Sequence, residues 1–183
     1  MKKSLRWTVP VAALGIAGLA LALPNAASAA SSSSFQTNLK PLSHSTGSGD
    51  LLLTLNGSKA TVTEHVRGLA AVFGGSAYPH VQHIHIGGQG QCPTTSADAN
   101  GDGVISTTEG AAAYGGIGAT LSTSGDTSPK AGTTLTVAPS GGDFTYTRSF
   151  TLDSATMSAV KGGTAGIVVH RLGSAAPRKK APG

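Results

Sequence analysis

The chain has 183 residues, with 13 basic and 8 acidic side chains, a formal net charge of +5 and a mean hydropathy of +0.06. The positive balance sits at the ends, in Lys2, Lys3 and Arg6 and again in Arg171, Arg178, Lys179 and Lys180. Acidic residues outnumber basic ones from Ala30 to His170, so no basic face remains to argue for nucleic acid. Carboxylates are too sparse for a glycosidase pair, and neither a Ser/His/Asp nucleophile set nor a phosphate-cradling glycine loop stands out, which disfavours hydrolase chemistry.

Lys2, Lys3 and Arg6 precede an apolar run over 9–23, followed by Pro24 and the small-residue exit Ala27-Ser28-Ala29. This is the pattern of a secretory signal cleaved after Ala29, and it predicts a secreted, extracellular protein. The run is shorter than the roughly 20 apolar residues of a membrane span, so no integral membrane segment is expected once the signal is removed. About 150 residues then remain, the length of one domain. Residues 30–47, opening on the serine run 31–34, read as a flexible leader, 48–173 as the folded domain and 174–183 as a solvated basic tail.

Residues 51–55, then Asn56-Gly57, then 59–67 with Ala60, Val62 and Val66 on one parity, predict a hairpin with a type I′ turn. His65 shares the polar parity with Thr61, Thr63 and Arg67 and is expected in solvent, as is His44 in its Ser/Gly-rich surroundings. Extended segments follow at 70–74 and 80–86. In the second, His83 and His85 lie two apart and project from one face, with Ile84 and Ile86 on the other and His80 on the opposite parity. Neutral imidazole suits copper, zinc, iron and nickel, but two histidines alone do not hold such a metal tightly, so a third ligand must come from elsewhere.

Cys92 is the single cysteine of a chain expected in an oxidising compartment. It reads as a bridge between two copies, a free thiol, or the survivor of a lost pair. The run Asp98-Ala-Asn100-Gly-Asp102-Gly103-Val104-Ile105-Ser106-Thr-Thr-Glu109 then matches an EF-hand calcium loop. Side-chain oxygens fall at loop positions 1, 3 and 5, the Val104 carbonyl at 7, Ser106 at 9, a bidentate Glu109 at 12, and Gly103 at the sharp turn. The segment before it cannot be an entering helix, and Gly110 replaces the apolar residue that begins an exiting one, which predicts a calcium loop without its helices. The whole stretch 87–129 reads as irregular, ordered by its ion. Strands at 134–138 and 144–152, a helix at 154–161 capped by Asp153 or Ser154 and ended by Gly162-Gly163, and a strand at 165–170 complete the chain. Short strands between Gly, Ser and Asn predict an all-β sandwich or barrel, in which a late strand can return beside an early one. His170, ending the last strand, is the best candidate for the third ligand.

The spacing His80-x-x-His83-x-His85, a cysteine seven residues later and a distant Ile-Val-Val-His170 resemble the copper/zinc superoxide dismutases, together with the related chordin-type (CHRD) β-sandwich domains of secreted bacterial proteins. The resemblance spans roughly 48–173 as an order of motifs, and its specificity lies in the two histidine segments. It implies a Greek-key β-sandwich or barrel in which His83, His85 and His170 are copper ligands. It further implies that His80 is a structural histidine bonded to backbone and that Cys92 matches a loop cysteine paired near the C-terminus in the dismutases. The chain departs from that pattern in lacking any histidine between His85 and His170, and with it the bridging imidazole and the zinc site; the calcium-like loop stands where the zinc loop would be. Nor is there a second cysteine to pair with Cys92. The resulting expectation is a secreted copper-binding and calcium-binding β-sandwich acting on superoxide. Its rivals are a non-enzymatic, calcium-stabilised CHRD-type binding module and a copper store or carrier without turnover.

Overall fold

A computed structural model describes residues 32–172; the expected export signal and the basic tail lie outside the described residues. The strands are β1 (Ser32–Leu39), β2 (Ser48–Asn56), β3 (Lys59–Arg67), β4 (Val72–Phe73), β5 (Ser76–Ala77), β6 (Gln82–Gly87), β7 (Gly115–Thr120), β8 (Phe144–Thr151) and β9 (Gly166–Val169). They form an all-β fold of antiparallel sheets: four strands in the order β1-β2-β3-β8, three in the order β7-β6-β9, and the small hairpin β4-β5. The chain therefore leaves the larger sheet after β3, builds the centre of the smaller one, returns for β8 and leaves again for β9.

Alternation explains the core. Leu51, Leu53 and Leu55 on β2, Ala60 and Val62 on β3, and Tyr146 and Phe150 on β8 join Ile84 of β6 and Ala119 of β7 in one buried cluster. Removing such apolar area from water contributes roughly 25 cal/mol per Å², so sharing one cluster is what holds the two sheets together. Two helices flank them, α1 (Thr107–Tyr114) and α2 (Ser154–Gly162). Asp153 caps α2 by accepting from the Thr156 amide, and Gly163 ends it with a φ of 69°, a left-handed conformation that glycine adopts without strain. Among the described residues, no helix is long and apolar enough to cross a membrane.

Several sequence expectations are corrected. The leader assigned to 30–47 contains β1, which pairs with β2 from Ser32↔Asn56 to Leu39↔Gly49. The serine run masks Phe35 and Leu39, both half-buried, and Phe35 packs on the core. The hairpin turn lies one residue later than its Asn-Gly signal suggests. Asn56 pairs with Lys59, leaving Gly57-Ser58 as the loop, and of these only Gly57 has positive φ, at 61°. That is the type II′ pattern, not type I′.

The 134–138 segment is not a strand but carries a 3₁₀ turn, Leu135–Val137. Its amides bond locally to Thr134 and Leu135, and Leu135 is exposed, so β-propensity has no ladder to join. The 70–74 segment reduces to the two-residue β4. The stretch 87–129, expected irregular, holds both α1 and β7. The calcium-like loop therefore has an exiting helix after all. Ser106 and Glu109 form a capping box at its start, and Gly110 is required within it because a Cβ there would run into the Tyr114 ring.

Candidate metal centre

β6 is the central strand of its sheet, paired along both edges, and its side chains from Gln82 to His85 are buried on both faces. Ile84 and Gln82 point into the core, and His83 and His85 share the other face, 4% and 2% exposed. Beside them the pairing with β7 slips: Ile84 faces Ala119 but His85 faces Ile117, leaving Gly118 as a bulge. On the other side β9 pairs Gln82 with Val169 and His83 with Val168. The next residue, His170, continues this ladder by donating its amide to the Val81 carbonyl at 2.8 Å. Register thus sets His170, two residues beyond Val168, on the face of His83, although His170 lies 85 residues beyond His85 and no local pattern connects them.

The ring centroids lie 5.4 Å apart for His83 and His85, 5.0 Å for His83 and His170, and 5.5 Å for His85 and His170. One donor nitrogen from each falls within 4.8 Å of the others. Hydrogen bonds assign which nitrogens these are. His83 donates from Nε2 to the Gly132 carbonyl at 2.9 Å, and its buried Nδ1 has no partner. His85 donates from Nδ1 to the Gly115 carbonyl at 3.0 Å, leaving Nε2 facing His170 Nε2 at 3.3 Å. The backbone carbonyls thereby choose the tautomers of His83 and His85 and leave one lone pair on each free for a ligand.

A metal about 2.0 Å from each nitrogen would set two ligands about 3.3 Å apart at a tetrahedral angle, so the His85–His170 separation fits shared ligation. Burial holds the imidazoles of His83 and His85 below the usual histidine range. Burial, and then the neighbouring His83 and His85, lower His170 to about 4. All three are therefore neutral near pH 7, the form that ligates a metal. These three histidines could hold a metal ion, and among the described residues theirs is the one such cluster of His, Cys, Asp or Glu donors.

Outer contacts fix the site. Tyr114, at the end of α1, packs its ring edge-on to His85 with centroids 4.6 Å apart and donates its hydroxyl to the Thr107 carbonyl. Gly115 follows with a φ of 86°, and a Cβ there would overlap the Ile86 carbonyl, so only glycine brings its own carbonyl to His85. His80 lies outside the cluster, 2% exposed, with Nε2 3.0 Å from the Ala70 carbonyl and Nδ1 3.4 Å from the His170 carbonyl. His65 is exposed and meets Asp50 at 3.0 Å, while the exposed His44 packs against Gly103.

The calcium-like loop is closed by its own side chains. Asp98 accepts from the amides of Gly101, Asp102 and Gly103, Asn100 from Asp102, Asp102 from Val104, and Glu109 from Ala99, Asn100 and Ser106. Gly103 sits at a φ of 80°, the turn a glycine was expected to make. The carboxylates of Asp98, Asp102 and Glu109 are not gathered as the histidines are. Cys92 is an exposed free thiol.

No family model, no curated protein and no solved structure matches this chain. Sequence reasoning missed Gly115 and Gly132, which act through backbone carbonyls and leave no side-chain signal. It also missed Tyr114, hidden in a segment read as loop, and Glu64, which shares the inward parity of Val62 and Val66.

Proposed function

We propose that this chain is an exported, Greek-key β-sandwich protein that binds a copper ion through His83 Nδ1, His85 Nε2 and His170 Nε2. The observation that carries the reading is the unpartnered, buried Nδ1 of His83, in a cluster with His170 and with His85, whose Nδ1 is committed to the Gly115 carbonyl and whose Nε2 is left for a ligand. A buried polar atom without a partner is costly, and a metal ligated there removes that cost. Three imidazoles suit copper or zinc, and the motif resemblance to the copper/zinc dismutases favours copper.

Bound in this set, copper would supply one-electron chemistry with a coordination position left open to a small anion such as superoxide. The protein's own contribution is to hold the imidazoles neutral, to fix their tautomers through Gly115 and Gly132, and to shield His83 and His85 from water. Copper titration with superoxide turnover, in wild type and in His83→Ala/His85→Ala, tests the reading. One copper per chain, lost in the variant, supports the site, and turnover on the same samples supports the dismutase. Copper without turnover leaves storage or delivery, and no tight copper in the wild type overturns the reading.

The second reading concerns the loop 98–109, as a calcium site that orders this segment. Its support is the twelve-residue ligand spacing, the left-handed Gly103 and the exiting α1. Calcium should then raise the melting temperature of the wild type and not that of Asp98→Ala.

A further inference from the structure

The core holds one carboxyl that the metal reading does not use. Glu64 of β3 is 0% exposed, and Gln82 of β6 is 1% exposed. Neither oxygen of Glu64 and neither amide atom of Gln82 has a hydrogen-bond partner. The two residues belong to different sheets, and Gln82 is the side chain that acts against the desolvation of Glu64.

The other groups packed around Glu64 do not neutralise a charge on it. On β2 the residue opposite is Leu51, and Asp50 beside it turns outward to His65 and Arg67 while its charge opposes ionisation of Glu64. On β8 Tyr146 lies opposite, its hydroxyl donated to the Ser122 carbonyl at 3.2 Å. Arg148, two residues on, turns its guanidinium away to Ser122 and the Gly125 carbonyl. On β6 the titratable histidines His83 and His85 occupy the face opposite to Gln82. An ionised carboxylate here faces no cation, and burial pushes the Glu64 carboxyl up from 4.5 to about 7.

A carboxamide offers both a donor and an acceptor. A neutral carboxyl matches both, whereas a carboxylate has no proton to give and leaves the amide oxygen unpaired. We propose that Glu64 and Gln82 form a proton-dependent clasp between the two sheets. The structure shows the two side chains with no hydrogen bond closed; in the clasp they turn so that the Glu64 hydroxyl donates to Gln82 Oε1 and Gln82 Nε2 donates back to the remaining Glu64 oxygen. Loss of the proton breaks the first bond, places a charge between β3 and β6, and loosens the sheets there. The clasp is independent of the metal reading, since it lies on the other face of β6 and involves no ligand.

Glu64→Gln keeps the shape and can close both hydrogen bonds but cannot titrate, so it is the variant that tests the clasp. Unfolding of the full metal-free chain would be followed from pH 4 to 9 in both proteins, so that the histidines, common to both, cancel. The folded value lies above the unfolded one, so Glu64 costs nothing below about pH 4.5, and its cost grows as the pH rises to about 7 and is then constant. The folding equilibrium constant of the wild type relative to the variant is expected to fall about 300-fold across that window. Amide exchange, corrected for its intrinsic pH dependence, should accelerate in β3 and β6 of the wild type above pH 7 and not in the variant. A constant difference between the two proteins across the pH range would overturn the proposal. If the variant does not fold, the infrared band of a protonated carboxyl in the wild type decides. Its presence at pH 6 with loss through about pH 7 supports the clasp, and its absence at pH 6 overturns it.

Discussion

Truncating His170 to alanine is the cleanest perturbation of the metal site. Its backbone continues the β6–β9 ladder through the amide bond to Val81, so the substitution removes a ligand atom without removing a strand. In the wild type, metal binding to the folded state alone at 100 times Kd adds about 2.7 kcal/mol. For about 140 folded residues, with an unfolding entropy of about 2.1 cal/mol/K per residue, this raises Tm by about 9 °C. The His85–His170 contact of 3.3 Å is the spacing of two ligands on one metal, so the variant should lose most of that shift. Scanning calorimetry of the chelated protein, with and without copper, measures it directly. An equal copper shift in wild type and His170→Ala would refute the three-histidine site, because the gain would then arise elsewhere on the chain.

Three further predictions follow from the same geometry. Because burial lowers all three imidazoles, His170 to about 4, copper affinity should be lost at a lower pH than ordinary histidines would give and fall steeply toward pH 4, where His170 takes up its proton; titrations showing a loss centred at pH 6.5 would contradict that. The same direction applies to the metal-free fold. Its histidine-linked stability is full above the unfolded value of 6.5 and is lost as the pH drops through the lowered folded values. Gly115→Ala should cost at least about 1–3 kcal/mol in a denaturant titration and weaken copper binding, since it combines positive φ with overlap on the Ile86 carbonyl; Gly57→Ala, at positive φ in open space, should cost about 1 kcal/mol and leave copper binding unchanged. Cys92 should label quantitatively in the native protein, and a blocked thiol in a chain that runs as a monomer on non-reducing electrophoresis would count against the free cysteine.

What could be read along the chain follows from local periodicity. Two-residue alternation placed β2 and β3, the His83/His85 platform and the outward His65, and the cap and glycine signals placed α2. Alternation failed where composition hid it. Phe35 and Leu39 lie among serines and threonines, and Thr134 to Ala138 carry β-branched side chains with no neighbouring strand to pair with. The inward parity of Glu64 was legible, but its lack of any partner depends on where Gln82, Tyr146 and Arg148 direct their polar atoms.

The sequence by itself determined that two histidines share a strand face, because side-chain direction in a strand depends only on position parity. It also determined that an oxygen-rich twelve-residue loop lies downstream. Whether His170 joins them was decided by the register of β9 on β6, a long-range pairing that no local pattern encodes. Which nitrogen of His83 and of His85 is free was decided by the carbonyls of Gly132 and Gly115, brought in by the 3₁₀ turn Pro129–Ala131 and by the end of α1. Backbone groups carry no residue identity, so that part of the site exists only once the chain is folded.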